Sequence, residues 1–349
     1  MMADVDGLPV IVLGAGASHD ASSAFRGDPS RPPLVKHLFT RGEPDDAILR
    51  TYRLAEMARE EIHAAGAAGS PDSLEAKIRT RYRDSGHEHD RRIFAQIPLY
   101  LQHRLLLASR GAPGYLDRLI LAALRLDEVL FVTLNYDLLL DQRLSELSPP
   151  ALDSVDSYID DGRKWALIKL HGSVNWARQL MTSAGPEPND PFRVKTLTRY
   201  ALEAKLDDEV VLRTVDVEDA ASLLPARVDT RVDTPNLYYP AISVPLGGDE
   251  ATPSCPADHL VALERRLQEA DGLHLLFLGY SGYDADVLRL VAESGKTYRS
   301  ITIVDPDESV QERILAGLGS FPKARTRYLK ALFSEFVRDH LDGVLRGFD

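Results

Sequence analysis

Residues 9–13 read PVIVL, an unbroken apolar run rich in β-branched side chains that stops at Gly14. A strand with no polar face has no solvated side, so it must lie between two covering layers, as the strands of a parallel sheet do. Four more runs share the design. VLFVT at 129–133 passes into LNYD, WALIKL at 165–170 into HGS, LHLLFL at 273–278 into GYSGYD, and SITIV at 300–304 into DP. All but the His-Gly run are followed by helical patterns. Alternating strand and helix predict an α/β fold, a Rossmann-like parallel sheet with helices on both faces.

Two stretches depart from that rhythm. Residues 41–127 read as a helical insertion: a helix over 45–66 with Ile48, Leu49, Tyr52, Ala55 and Met57 on one face, a helix start at 72–75, and helices over 90–109 and 113–125. After the second run the pattern predicts a helix over 137–147. Residues 177–235 contain SAGPEPNDP and DVEDAASLLPARVDTRVDTP, and read as a small cysteine-free inserted lobe, partly loop. A structureless connection of that length is unusual inside a compact domain. At 349 residues the chain can form one large domain with an elaboration or two domains, and the pattern reads as a single domain over 1–349 carrying both insertions.

Composition removes several function classes. The net charge is −12, a poor basis for sequence-independent nucleic-acid binding, which needs Lys and Arg to displace counterions. Arg79, Arg81 and Arg83 form one short basic cluster that reads as a solvated helix face. The one cysteine, Cys255, permits neither an intramolecular disulfide nor a cysteine-built zinc site, and reads as a structural or surface residue. The N-terminal MMADVDGLPVIVLGAG lacks the basic region of a signal peptide. No stretch approaches the ~20 apolar residues of a membrane span, so the expected location is cytoplasmic. His87 and His89 lack a spaced partner for a metal, GYSGY lacks the last glycine of a nucleophile elbow, and no phosphate-binding Walker motif occurs.

In an open parallel sheet, ligands bind beyond the carboxyl ends of the strands. Here GAGAS, TLNYD, HGS, GYSGYD and VDP all stand at such ends, which points to one shared site. Gly14 and Gly16 permit a tight turn and close backbone approach to a ligand, and amides at a helix start favour a diphosphate. The dehydrogenase fingerprint is incomplete, however. Its third glycine falls at His19, and 33–40 hold no acidic residue for a ribose. A plain tight turn therefore stays open. A lone histidine is most often a satisfied core or surface residue. His171, at a strand end beside Gly172, is better placed than most to move a proton near neutral pH. Asn135 carries a donor and an acceptor in one plane and can orient hydroxyls or a water; it also suits a helix cap.

Taken in order, GAGAS, TLNYD, KLHGS, GYSGYD and IVDP resemble the sirtuin-like NAD-binding family, most of all its prokaryotic NADase branch in antiphage defence. The closing ALFSEFVRDHL at 331–341 and RPPLVKHLF at 31–39 are similar to that branch as well. The resemblance implies that Gly14, Ala15, Gly16 and Ser18 hold the NAD+ diphosphate and ribose, with Thr133 among the binding residues. It implies that Asn135 orients the nicotinamide ribose and a water, Asp137 meets the carboxamide, and His171 is the catalytic histidine. Gly279 and Ser281 fall on the adenosine side, and Asp305 stands where sirtuins carry an Asn beside the adenine ribose. Protein-deacylating sirtuins carry a four-cysteine zinc module where this chain has its cysteine-free insertion. They also continue the first motif differently. The resemblance therefore implies NAD+ as substrate, no zinc, and hydrolysis to nicotinamide and ADP-ribose by an abortive-infection effector. It further implies a homo-oligomer switched on by assembly, a co-encoded sensor or a HerA-type ATPase. A non-catalytic module sensing NAD or an ADP-ribose derivative, and a protein deacylase or ADP-ribosyltransferase, are the alternatives.

Overall fold

The computed structural model of the protein describes residues 7–21, 28, 30–62, 85–109, 114–181, 193–203, 205–212, 237–242, 255–319 and 325–348. The helix start at 72–75 and the three-arginine cluster lie outside them. Six strands form one parallel sheet: β1 (Leu8–Leu13), β2 (Val129–Thr133), β3 (Trp165–Lys169), β7 (Leu273–Leu278), β8 (Tyr298–Val304) and β9 (Arg325–Leu329). Their order is β3-β2-β1-β7-β8-β9. A second, antiparallel sheet places β4 (Gly172–Met181) between β5 (Lys205–Leu212) and β6 (Leu237–Ile242).

The unbroken apolar runs follow from two-sided burial. Successive strand side chains alternate between faces. Ile11, Leu13, Phe131, Leu167 and Leu276 enter one core with helices α1 (Ala15–Ala21), α5 (Gly114–Ala123), α6 (Leu139–Leu147), α11 (Phe333–Asp339) and α12 (Leu341–Leu345). Val10, Val12, Leu130, Val132, Leu275 and Phe277 enter the other with α8 (Ala257–Glu269), α9 (Ala285–Glu293) and α10 (Ser309–Leu318). A third core packs α2 (Asp45–Thr51), α3 (Arg53–Met57) and α4 (Glu88–Ala108) against β4 and β6 through Leu49, Ile97, Tyr100, Val174 and Ile242. Between β4 and β5 lies α7 (Arg193–Glu203).

Several expectations need correction. The helix expected from residue 45 breaks at Tyr52, whose φ of −108° and ψ of 65° are not helical. The break shifts the phase, and Met57, expected inside, is 60% exposed. The His-Gly run is not one strand. β3 stops at Lys169, Leu170 and His171 turn, and Gly172 opens β4 in the other sheet, which is why no helix follows. The antiparallel sheet thus begins before residue 177 and ends at Ile242, beyond residue 235. The helix expected from Asp137 begins at Leu139. The edge strand β9, RTRYL, escapes apolar pattern reading because its first three residues are exposed and two are arginines, a common way to guard a sheet edge. Cys255 is buried at 2% exposure, and burial pushes its thiol up to about 12. Among the described residues no helix is long and apolar enough to cross a membrane.

Register brings the loops to one level. Thr133 aligns with both Leu13 and Lys169, and Leu278 with both Leu13 and Val304. The chain runs outward from β1 to β2 and β3, then returns to β7 on the other side of β1. The strand order therefore reverses between β1 and β7, where an open α/β sheet leaves its crevice.

At that reversal the two loops touch backbone to backbone. Gly14 N–H donates to Leu278 O at 3.0 Å and Gly16 N–H to Gly279 O at 3.1 Å. A Cβ on Gly14 would stand 2.4 Å from Gly279 O, and one on Gly279 would stand 2.3 Å from Ala17 N. Gly279 also has φ +56°, which favours glycine. Gly279→Ala is therefore expected to cost more than about 3 kcal/mol, because left-handed strain of about 1–2 kcal/mol adds to a clash with unyielding backbone. Gly295→Ala, at φ +66° with nothing within 4 Å, should lose only the strain. Urea denaturation of both variants checks the difference.

Candidate active site

Asn135 leaves β2 and turns back toward β1. Its Nδ2 donates both hydrogens, to Gly14 O and to Ser18 Oγ, each at 2.9 Å. Its backbone N–H donates to Thr133 Oγ1 at 3.0 Å, and that hydroxyl donates to Leu13 O at 3.1 Å. Asn135 is therefore not a helix cap. It clamps the β2 loop to the β1–α1 turn, with Thr133 as the lock below it. With both amide hydrogens committed, its Oδ1 is the group left to accept from a ligand. The helix-end role falls to Asp137, whose Oδ1 accepts the Leu139 N–H at 3.1 Å.

Asp137 is 5% exposed. Burial raises its carboxyl above the ordinary carboxylate range. The Lys169 ammonium, the Leu139 N–H and the Ser18 hydroxyl oppose that rise, and Asp141 adds to it. Ser18, Thr133, Asn135, Asp137 and Asp141, with Leu13, Leu116 and Leu140, enclose a cavity of about 10 Å³, roughly the room of one water.

The glycine turn differs from its expectation. The Gly14 and Gly16 amides are committed to the carbonyls of Leu278 and Gly279, and Ala17 N–H donates to Gly14 O at 3.0 Å. The close approach these glycines permit is to Gly279 of the same chain. His19, in the third fingerprint position, bonds Pro32 O through Nδ1 at 2.7 Å, and Arg31 Nε donates to His19 O at 2.8 Å. The 31–37 segment is thereby folded back on α1. Ala15 and Ser281 are exposed. Asp305 is half-buried at the end of β8; burial raises its carboxyl, which accepts the Asp307 N–H at 2.8 Å.

His171 sits in the β3–β4 turn beside the Asn135 loop. Leu170 N–H donates to Thr133 O and Val174 N–H to Tyr136 O, and the rings of Tyr136 and His171 lie 6.0 Å apart. Across the mouth, His171 Nε2 meets Asp284 Oδ2 at 2.5 Å. Asp284 belongs to GYSGYD, the loop after β7, and sequence reading gave it no role.

Beneath the site lies a buried charge network that sequence reading also missed. Lys169 is fully buried, and its Nζ donates to Asp137 O at 2.7 Å and Asp141 Oδ2 at 2.8 Å. Tyr158 Oη donates to Asp141 Oδ1 at 2.7 Å. Two signals for it stood in the sequence. Lys169 is a lone charge in an apolar run, and Asp141 lies four residues after Asp137. Among the described residues no group of three or more His, Cys, Asp or Glu is placed to hold a metal ion.

No protein-family model matches the sequence, and no curated protein matches it. Solved structures do resemble it over nearly the whole chain. A Sir2 homologue mutant complexed with ADP-ribose is 15% identical, covers 99% of this chain and 93% of its own, and gives a TM-score of 0.43. Sir2 complexed with an inhibitor, 2'-O-acetyl-ADP-ribose and a deacetylated peptide is 16% identical, with 98% and 95% covered and a TM-score of 0.39. At such identity and score the likeness carries nothing about chemistry, which rests on this chain's own side chains.

Lys169→Met leaves the Asp141 carboxylate and the Asp137 carbonyl without their cation. Removing one partner of a buried pair costs about 3–5 kcal/mol. Adding Asp141→Asn removes the orphaned charge and keeps an acceptor for Tyr158, so the double variant should regain much of that loss. Urea denaturation midpoints of the three proteins measure both effects.

Proposed function

We propose that this protein hydrolyses NAD+ at the nicotinamide–ribose bond, giving nicotinamide and ADP-ribose. The observation that carries the reading is the meeting of Asn135, Ser18 and Asp137 at the β1–β7 reversal, with His171 on the adjoining turn. Pure binding has no need of a proton-moving histidine at that place. The order of motifs along the chain supports the same substrate.

In this reading Asn135 is held by Gly14 and Ser18 and offers Oδ1 to a ribose hydroxyl or the attacking water. Asp137, its carboxyl raised by burial, meets the nicotinamide carboxamide and accepts its N–H. Nicotinamide departs as a neutral ring from its cationic form and needs no added proton. The ribose passes through an oxocarbenium-like state, and water adds to the anomeric carbon. His171 takes a proton from that water, or from a ribose hydroxyl that relays it, and returns it to solvent. Fixing the reactants supplies much of the barrier reduction. Gly14 and Gly16 shape the turn while Ala15 and Ser18 meet the diphosphate; Gly279, Ser281 and Asp305 line the adenosine side. An NAD+ hydrolase of this kind suits an abortive-infection effector in the cytoplasm, switched on by homo-oligomer assembly or a sensor partner.

The test is release of nicotinamide and ADP-ribose from NAD+ by purified protein, with and without an acetylated peptide. Asn135→Ala and His171→Ala should each abolish release while circular dichroism stays native. A folded, fully active His171→Ala protein sinks the mechanism. Release that depends on the peptide points to a deacylase or transferase, and NAD+ binding without release points to a sensor.

A further inference from the structure

The strands that deliver His171 and Asp284 are not neighbours. β3 and β7 are separated in the sheet by β2 and β1, about 14 Å at ordinary strand spacing. Their loops nevertheless meet over the carboxyl edge, with His171 Nε2 at 2.5 Å from Asp284 Oδ2. Both side chains are largely shielded, at 12% and 17% exposure.

The Asp284 loop is held in that reach from several sides. Tyr280, buried and stacked on Phe277 at 5.7 Å, donates its hydroxyl to the Asp284 carbonyl. From α10, Arg313 Nε donates to Ser281 O at 2.9 Å, and its guanidinium lies over the Tyr283 ring at 4.4 Å. Arg313 is in turn held by Ser309 Oγ at 2.8 Å and lies 3.6 Å from Asp307. The carboxylate is thus delivered to His171 by a braced loop.

We propose that Asp284 is a positioning residue for His171, an inference that rests on the NAD+ hydrolase reading. A carboxylate on Nε2 keeps the hydrogen on that nitrogen and leaves Nδ1 as the atom that accepts a proton. It also stabilises the imidazolium that forms, and fixes the ring against rotation beside Tyr136. Such a carboxylate does not itself take the proton. Asp284 thereby joins the β7 loop to the chemistry: the same segment that presses Gly279 onto the β1 turn also sets the histidine.

The full chain with NAD+ tests this, using wild type, Asp284→Asn, Asp284→Ala and Asp284→Glu. In protein labelled with 15N-histidine, the His171 ring signals are assigned by their loss in His171→Ala. Wild type should show the tautomer protonated at Nε2, and Asp284→Ala should lose that preference. Steady-state kcat should fall about 10²- to 10⁴-fold in Asp284→Asn and Asp284→Ala, the range for general acid–base groups and their orienting carboxylates. KM should change little, and Asp284→Glu should recover part of kcat. Native circular dichroism separates this from misfolding, and Asp284→Asn serves if the alanine variant does not fold. An unchanged tautomer overturns the proposal. So does an unchanged or increased kcat, the second marking the pair as a latch over the crevice. If isolated wild-type protein releases no nicotinamide, there is no kcat to compare, and the tautomer alone decides the pairing.

Discussion

Gly14 and Gly16 lie against Gly279 with no side chain between them, and two backbone hydrogen bonds cross the contact. No other side chain fits there, since any Cβ would stand inside van der Waals range of unyielding backbone. The contact decides where α1 begins, and hence where Ser18 stands. Ser18 and the Gly14 carbonyl in turn receive both hydrogens of the Asn135 amide. The β1, β2 and β7 loops are therefore one mechanical unit at the reversal of strand order.

That unit sits on an expensive foundation. Lys169 and Asp141 are buried charges, and taking charges out of water costs several kcal/mol each before their attraction is counted. An apolar pair would pack as well and carry no such penalty. What the network supplies is direction. Lys169 holds the Asp137 carbonyl from below, Leu139 holds the Asp137 carboxylate from the side, and the segment from Asn135 to Asp137 has few conformations left. A loop fixed in this way can present polar groups to a ligand with little ordering still to be lost on binding.

The site also draws on the antiparallel sheet. His171 lies in the turn between β3 and β4, so its placement depends on a chain that leaves one sheet and enters another within two residues. The helical insertion packs on the far side of β4 through Val174 and Leu180. Both insertions thus brace the histidine side of the mouth, while α9 and α10 flank the Asp284 side.

The sequence by itself determined the parallel sheet, because strands buried on both faces are apolar at nearly every position, and five such runs are plain to see. It also pointed to their polar ends as the candidate site, since register in a parallel sheet brings those ends to one level. Edge strand β9 was hidden because exposed arginines erase the apolar signal, and the break at Tyr52 because no Gly or Pro marks it. Only the tertiary structure decided what the polar groups do. It turned Asn135 from a helix cap into a clamp, turned the glycine amides toward β7, and joined His171 to Asp284 and Lys169 to Asp141. These pairings link residues from 28 positions apart, at Lys169 and Asp141, to 264 apart, at Gly14 and Leu278, and local pattern carries no record of such distances. They exist because the sheet's strand order, set by packing of the whole core, brings remote chain segments to one edge.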